Sequence, residues 1–133
     1  RWRVDVEELR EPGREWDLRF ANWSLGLVGD MHAVNIPIAA GTDTPIRLAI
    51  PGESLHRELE LLVESGLSPQ DAIFAATVAP ARFFGLDAQM GRILEGQRAD
   101  LVLLRANPLE AIRNTREIQG VVAAGEWVRR EAP

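Results

Sequence analysis

The feature that most constrains this chain is one short apolar run, Ile36 to Ala40, which stops abruptly at Gly41-Thr42-Asp43. The run is continuous rather than alternating, the pattern of a strand covered on both faces as in parallel α/β sheets, and Pro37 is tolerable only near such a strand's start. Nothing else in the chain reads as a parallel partner for it. One parallel strand alone leaves an open edge, so the sequence predicts an α/β arrangement that is not a self-contained doubly wound sheet. Asp43 sharpens the problem, because a carboxylate is expensive to bury unpaired. Either it is a ligand or a base at the mouth of a barrel, or it opens a turn, since Asp-Thr-Pro is ordinary turn chemistry.

The flanks of the run are helical. From about Arg14 to Val34, Trp16, Phe20, Trp23, Leu27 and Met31 recur at helical spacing, an amphipathic stripe weakened by Gly26 and Gly29. His32 falls near that helix's end, where the dipole favours it. After a loop, SLHRELELLVESG places Leu55, Leu59, Leu62 and Val63 on one face, with Ser54 as the expected N-cap and Gly66 as the stop. Ser68-Pro69-Gln70-Asp71 then predicts a helix start with serine at the cap and proline at the first position. Pro80 is expected to end that helix or to begin a short turn closed by Gly85. Beyond Gly91 the period becomes strand-like, with a turn at Glu95-Gly96, an apolar run Leu101 to Leu104, and a hairpin whose two-residue turn is Ala124-Gly125. An alanine at positive φ in that turn would cost on the order of 1 kcal/mol. The first residues, with Pro12-Gly13 as a breaker, read as a loop or a tail.

At 133 residues the chain is the size of one domain, and 46% apolar residues suffice for a core. Twenty acids and 15 bases are scattered, so no basic stripe favours nucleic acid. Without cysteine, disulfides and thiolate metal sites are excluded. No segment approaches the ~20 apolar residues of a membrane span, and the N-terminal stretch is charged where a signal peptide would be apolar, so a cytoplasmic setting is the default expectation. All the bases are arginine, and histidine occurs only at positions 32 and 56. A mechanism that needs a lysine from this chain is therefore excluded. The tryptophans 16, 23 and 127 read as core or interface residues.

Four pieces in this order, IPIAAGTDTP, SLHRELELLVESGLSPQDAIFAATVAPARFFGL, GRILEGQRADLVLLRANPLEAI and IQGVVAAGEWV, resemble the C-terminal third of an amidohydrolase-superfamily enzyme of the imidazolonepropionase-like and prolidase-like branch. The similarity spans about residues 31 to 128. It implies the last helix-strand-helix units of a (β/α)8 metal-dependent hydrolase barrel over residues 14–90 and strands of the accompanying small β-sandwich over 91–133, leaving residues 1–13 as the tail or loop. It also implies that the acid of the Gly-Thr-Asp stands at the C-terminal end of the eighth strand, where Asp43 would bind a divalent metal, zinc first among them, and act as the proton-shuttling base. Active sites of such barrels sit at that end of the strands. Around it, Thr42 and Thr44 would orient the acid, His56 would touch substrate or a neighbouring carboxylate, and Arg47 would meet an anionic substrate group. The implied activity is hydrolysis of carbon-nitrogen bonds in small-molecule amides, cyclic amides or Xaa-Pro dipeptides.

The departures are as informative. The family's metal centre uses a His-x-His pair, commonly a carboxylated lysine, and two further histidines, and this chain carries none of these at matching positions. A barrel of this kind needs roughly 250 residues. The isolated chain is accordingly expected to be inactive and metal-free, with its catalytic partners on another segment. The alternative is a non-catalytic piece that pairs its open edge with another copy, so a homo-oligomer is expected.

Overall fold

The computed structural model describes residues 15–45 and 49–128, with side chains from Arg19 onward. The expected tail at 1–13, the Trp16 side chain and Arg47 lie outside the described residues. Helix α1 runs Glu15–Ala33 and is followed by a stretch without regular structure. Three helices come next, α2 at Ser54–Glu64, α3 at Pro69–Ala76 and α4 at Val78–Phe83. Strand β1, Leu101–Leu104, a 3-10 helix, Ile112–Arg116, and strands β2, Ile118–Ala123, and β3, Glu126–Val128, complete the order.

The core lies between α2 and α3. Leu59, Leu62, Leu67, Ala72 and Ala75 are buried together with Ile112 of the 3-10 helix, and Val28, Ile38 and Ala40 pack against them. Alanines at the α3 face let the two helices approach closely, and Ala72 is wholly enclosed. The start of α3 is as the sequence predicts: Ser68 caps it by accepting the Asp71 N–H at 3.1 Å, and Pro69 occupies the first turn. At the end of α2, Gly66 takes φ +111, a conformation that favours glycine.

Several local expectations are corrected. Ser54 does not cap α2; Glu53 occupies the cap position without a side-chain bond, and the Ser54 hydroxyl instead accepts the Ile50 N–H of the preceding loop at 2.7 Å. The break between α3 and α4 falls at Thr77, whose hydroxyl donates to the Ile73 carbonyl at 2.7 Å, and not at Pro80. Pro80 lies in the first turn of α4, where its missing N–H costs nothing. The stripe of α1 is not its buried face, since Phe20 and Trp23 are more than half exposed. The helix meets α2 through Val28 and Gly29 instead. A Cβ on Gly29 would stand 2.2 Å from the Ser65 carbonyl oxygen, so the glycine that weakens the helix is what allows the contact.

The largest correction concerns residues 36–40, which form no strand. Instead of being covered on both faces, the segment from Pro37 to Pro45 alternates: Ile38, Ala40, Thr42 and Thr44 are half-buried, while Pro37, Ala39, Gly41, Asp43 and Pro45 are exposed. Helices cover one side of it. A strand also needs neighbours for its N–H and C=O groups, and among the described residues no parallel partner exists.

β1, β2 and β3 form an antiparallel three-stranded sheet in sequential order. Leu101 pairs with Val122, and the register shifts between Leu103 and Leu104. The β2–β3 turn is the expected Ala124-Gly125, with φ +51 and +85, both positive as a type I′ turn requires. Trp127 is not a core residue; its indole lies on the sheet over Gly120, where a Cβ would come within 2.0 Å of the ring.

Candidate functional site

Asp43 sits where the uncovered face of the 37–45 segment ends. It is exposed and has φ +51, a left-handed conformation that aspartate tolerates better than most residues. A cis peptide joins Thr44 to Pro45 directly after it. The hydroxyls of Thr42 and Thr44 are 2.6 Å apart, bracketing the acid in a mutual hydrogen bond.

Two anchors hold the approach to this turn. The Ala40 N–H donates to the Ala75 carbonyl at 2.8 Å, occupying one of the last carbonyls of α3. The Gly41 N–H donates to the carboxylate of Glu58 on α2, 17 residues away. Sequence reasoning did not single out Glu58. A glutamate on the polar side of a helix reads as solvated, and a backbone amide as partner leaves no trace in the residue pattern.

His56 and Asp43 are not brought together by any bond. The Nδ1 of His56 pairs with the hydroxyl of buried Thr115 at 3.0 Å, joining α2 to the 3-10 helix. Arg116 reinforces the same joint. Its Nε donates to Glu60 at 2.8 Å and another guanidinium nitrogen to Glu53. The hydrogen bond from Arg116, with a further one from Arg57, holds the Glu60 carboxyl below the usual carboxylate range. His32, in the last turn of α1, lies 3.7 Å from Asp71 on α3. Asp100, just before β1, accepts the Ala124 N–H at 2.8 Å, and this bond, aided by Arg98, lowers its pKa.

Among the described residues no three His, Cys, Asp or Glu side chains converge to hold a metal ion. A catalytic zinc takes three protein ligands, so the described residues, with Asp43 alone at the turn, do not fit one by themselves. What the arrangement supplies chemically is one exposed carboxylate on a turn fixed from two helices.

The described residues thus place helices behind an extended segment that ends in an acid. The amidohydrolase family model matches residues 26–128, and the chain belongs to that family. It is 39% identical to the ochratoxinase of Aspergillus niger over 88 residues, which are 65% of this chain and 17% of that protein. It is 39% identical to the imidazolonepropionase of Rubrobacter xylanophilus over 61 residues, 42% of this chain and 15% of that protein. A solved Bifidobacterium longum structure assigned as a prolidase superposes with a TM-score of 0.73 at 39% identity, covering 82% of this chain and 27% of that one. The chain spans 17% and 15% of the two curated relatives and 27% of that solved chain. Among the described residues, no helix is long and apolar enough to cross a membrane.

Proposed function

We propose that this chain is the C-terminal portion of a metal-dependent amidohydrolase acting on carbon-nitrogen bonds of small molecules, with cyclic amides or Xaa-Pro dipeptides as substrate classes. In this reading residues 14–90 are the last helix-strand-helix units of the barrel, and residues 91–133 belong to the small β-sandwich. Asp43 is both a ligand of the intact enzyme's divalent metal, zinc as first choice, and the base of its reaction. Thr42 and Thr44 orient it. Arg47 and His56 remain the candidates for substrate contact, His56 from its place beside Thr115.

The observation that carries this is the alternation from Pro37 to Pro45, which leaves Asp43 on the face that α2 and α3 do not cover. In a closed barrel that is the face turned to the other strands and to the site at their C-terminal ends. Because the chain carries no His-x-His pair and no lysine, the isolated chain is read as inactive, and its chemistry belongs to an assembled barrel.

The test is a chimera in which the matching segment of the Aspergillus niger ochratoxinase is replaced by this chain, assayed on the recipient's own substrate. The chimera is expected to turn over, and Asp43→Asn to lower kcat by about a hundred- to ten-thousandfold. An Asp43→Asn chimera as active as its parent would end this reading. The open edge and exposed Ile36 favour a second reading, a non-catalytic piece that self-associates. Light scattering behind a sizing column, with metal content measured on the same peak, separates them. A metal-free dimer or larger species fits a fragment satisfying its edges, whereas a compact monomer holding about one metal per chain would overturn the claim of inactivity.

A further inference from the structure

α2 carries three glutamates, and they differ in what they bind. Glu60 and Glu64 pair with Arg57, and Glu60 also with Arg116. Just before the helix, Glu53 pairs with Arg116 as well. Glu58 alone turns away from this arginine network, its Oε1 accepting the Gly41 N–H at 2.5 Å. Gly41 is two residues before Asp43. Backbone amide to carboxylate is a charge-assisted bond, among the stronger kinds a side chain offers a loop.

The helix that carries Glu58 is itself fixed. Leu59 and Leu62 are buried in the core, and His56, Glu53 and Glu60 are tied to Thr115 and Arg116 of the 3-10 helix. The Ala40 N–H is tied to α3 one residue before the Glu58 contact. Two consecutive amides leading into the turn are thus held by two different helices, and the Thr42–Thr44 hydroxyl pair closes the turn beyond them. A group must be held on rigid supports if it is to act at a defined angle.

We propose that Glu58 is the positioning residue of the Asp43 turn, setting the backbone at Gly41 so that the acid is presented on the uncovered face. This rests on the reading of Asp43 given above. The role requires only an oxygen acceptor at that place, so glutamine should serve where alanine does not. A residue needed only for the charge of α2 would show no such distinction, and one needed for packing would also disturb Ala72 and Ala75 when cut back to alanine.

The test is amide hydrogen exchange and proton-nitrogen correlation spectra of the whole chain, unsubstituted and as Glu58→Gln and Glu58→Ala. Glu58→Ala is expected to speed exchange at Gly41 by about ten- to a hundredfold and to move the Gly41, Thr42 and Asp43 resonances together. Glu58→Gln is expected to restore both, with Ala72 and Ala75 unchanged in all three proteins. Gly41 exchange and shifts unaltered in Glu58→Ala would overturn the proposal, as would a Glu58→Gln protein indistinguishable from Glu58→Ala. If Glu58→Ala unfolds the helices, Glu58→Gln with native spectra still decides, since loss of Gly41 protection there refutes the acceptor role and its retention supports it. Loss of the Gly41 anchor alongside a fully active Asp43→Asn chimera would support the anchor while removing Asp43 from catalysis.

Discussion

The α2–α3 pair and the segment from residue 34 to 45 are neighbours in space and opposites in completeness. In the helices the backbone N–H groups beyond the first turn find carbonyls four residues back, Ser68 caps α3, and Leu59, Leu62, Ala72 and Ala75 are buried without help from any distant strand. The segment has one covered side, two amides tied to helices, and, among the described residues, no strand paired with it. Helical hydrogen bonds are local and strand hydrogen bonds are not. The helical pair therefore completes its own hydrogen bonding, whereas an extended segment depends on neighbours for its own.

The comparison breaks most readily from the helical side. Leu59→Ala, which opens a cavity between α2 and α3, is expected to lower unfolding free energy by roughly 2–5 kcal/mol in urea titration. A loss under 1 kcal/mol would mean that the pair is not the folding core. Gly29→Ala is next. The added methyl has only backbone to meet at Ser65, which outweighs its better helix propensity, and a net loss of about 1–3 kcal/mol is expected by the same assay. At the far sheet the sign reverses, because Ala124 sits at φ +51: Ala124→Asn should gain about 1 kcal/mol, read as a higher denaturation midpoint. Ile36→Ala sharpens the contrast from the other side. Its side chain is 44% exposed, so a change within about 0.5 kcal/mol is expected, and a core-sized loss would show that the segment is covered in solution.

The smallest effect is one of pH. Asp100 has a folded-state pKa below its unfolded value, because the Ala124 N–H and Arg98 favour the carboxylate. Such a group stabilises the fold above the unfolded pKa and loses that contribution as pH falls through the folded one. Thermal melts of the unsubstituted chain and Asp100→Asn should therefore differ at neutral pH and converge below about pH 4. A gap that persists in acid would assign the difference to something other than ionisation.

Much of this was legible in particular residues. Ser68-Pro69 announced α3, Gly66 and Gly85 marked helix ends, and Ala124-Gly125 marked the hairpin, because each acts through atoms within a few positions of itself. Asp43 was legible as a turn or a site, and the turn is what its backbone makes. Misreadings came where a distant partner decided. Ser54 bonded the loop rather than capping the helix, and the stripe of α1 faced outward because Gly29 offered closer approach to Ser65.

The sequence by itself determined the helices, the Ser68 cap of α3, the hairpin turn and the family, since these depend on local propensity and on residues in fixed order. Only the tertiary structure decided that residues 36–40 stay unpaired, that Asp43 lies on the open side, that His56 meets Thr115 and that Glu58 holds Gly41. Each of those depends on which surfaces the folded helices bring within hydrogen-bond reach, and a partner 17 or 59 residues away along the chain has no fixed spacing to be read.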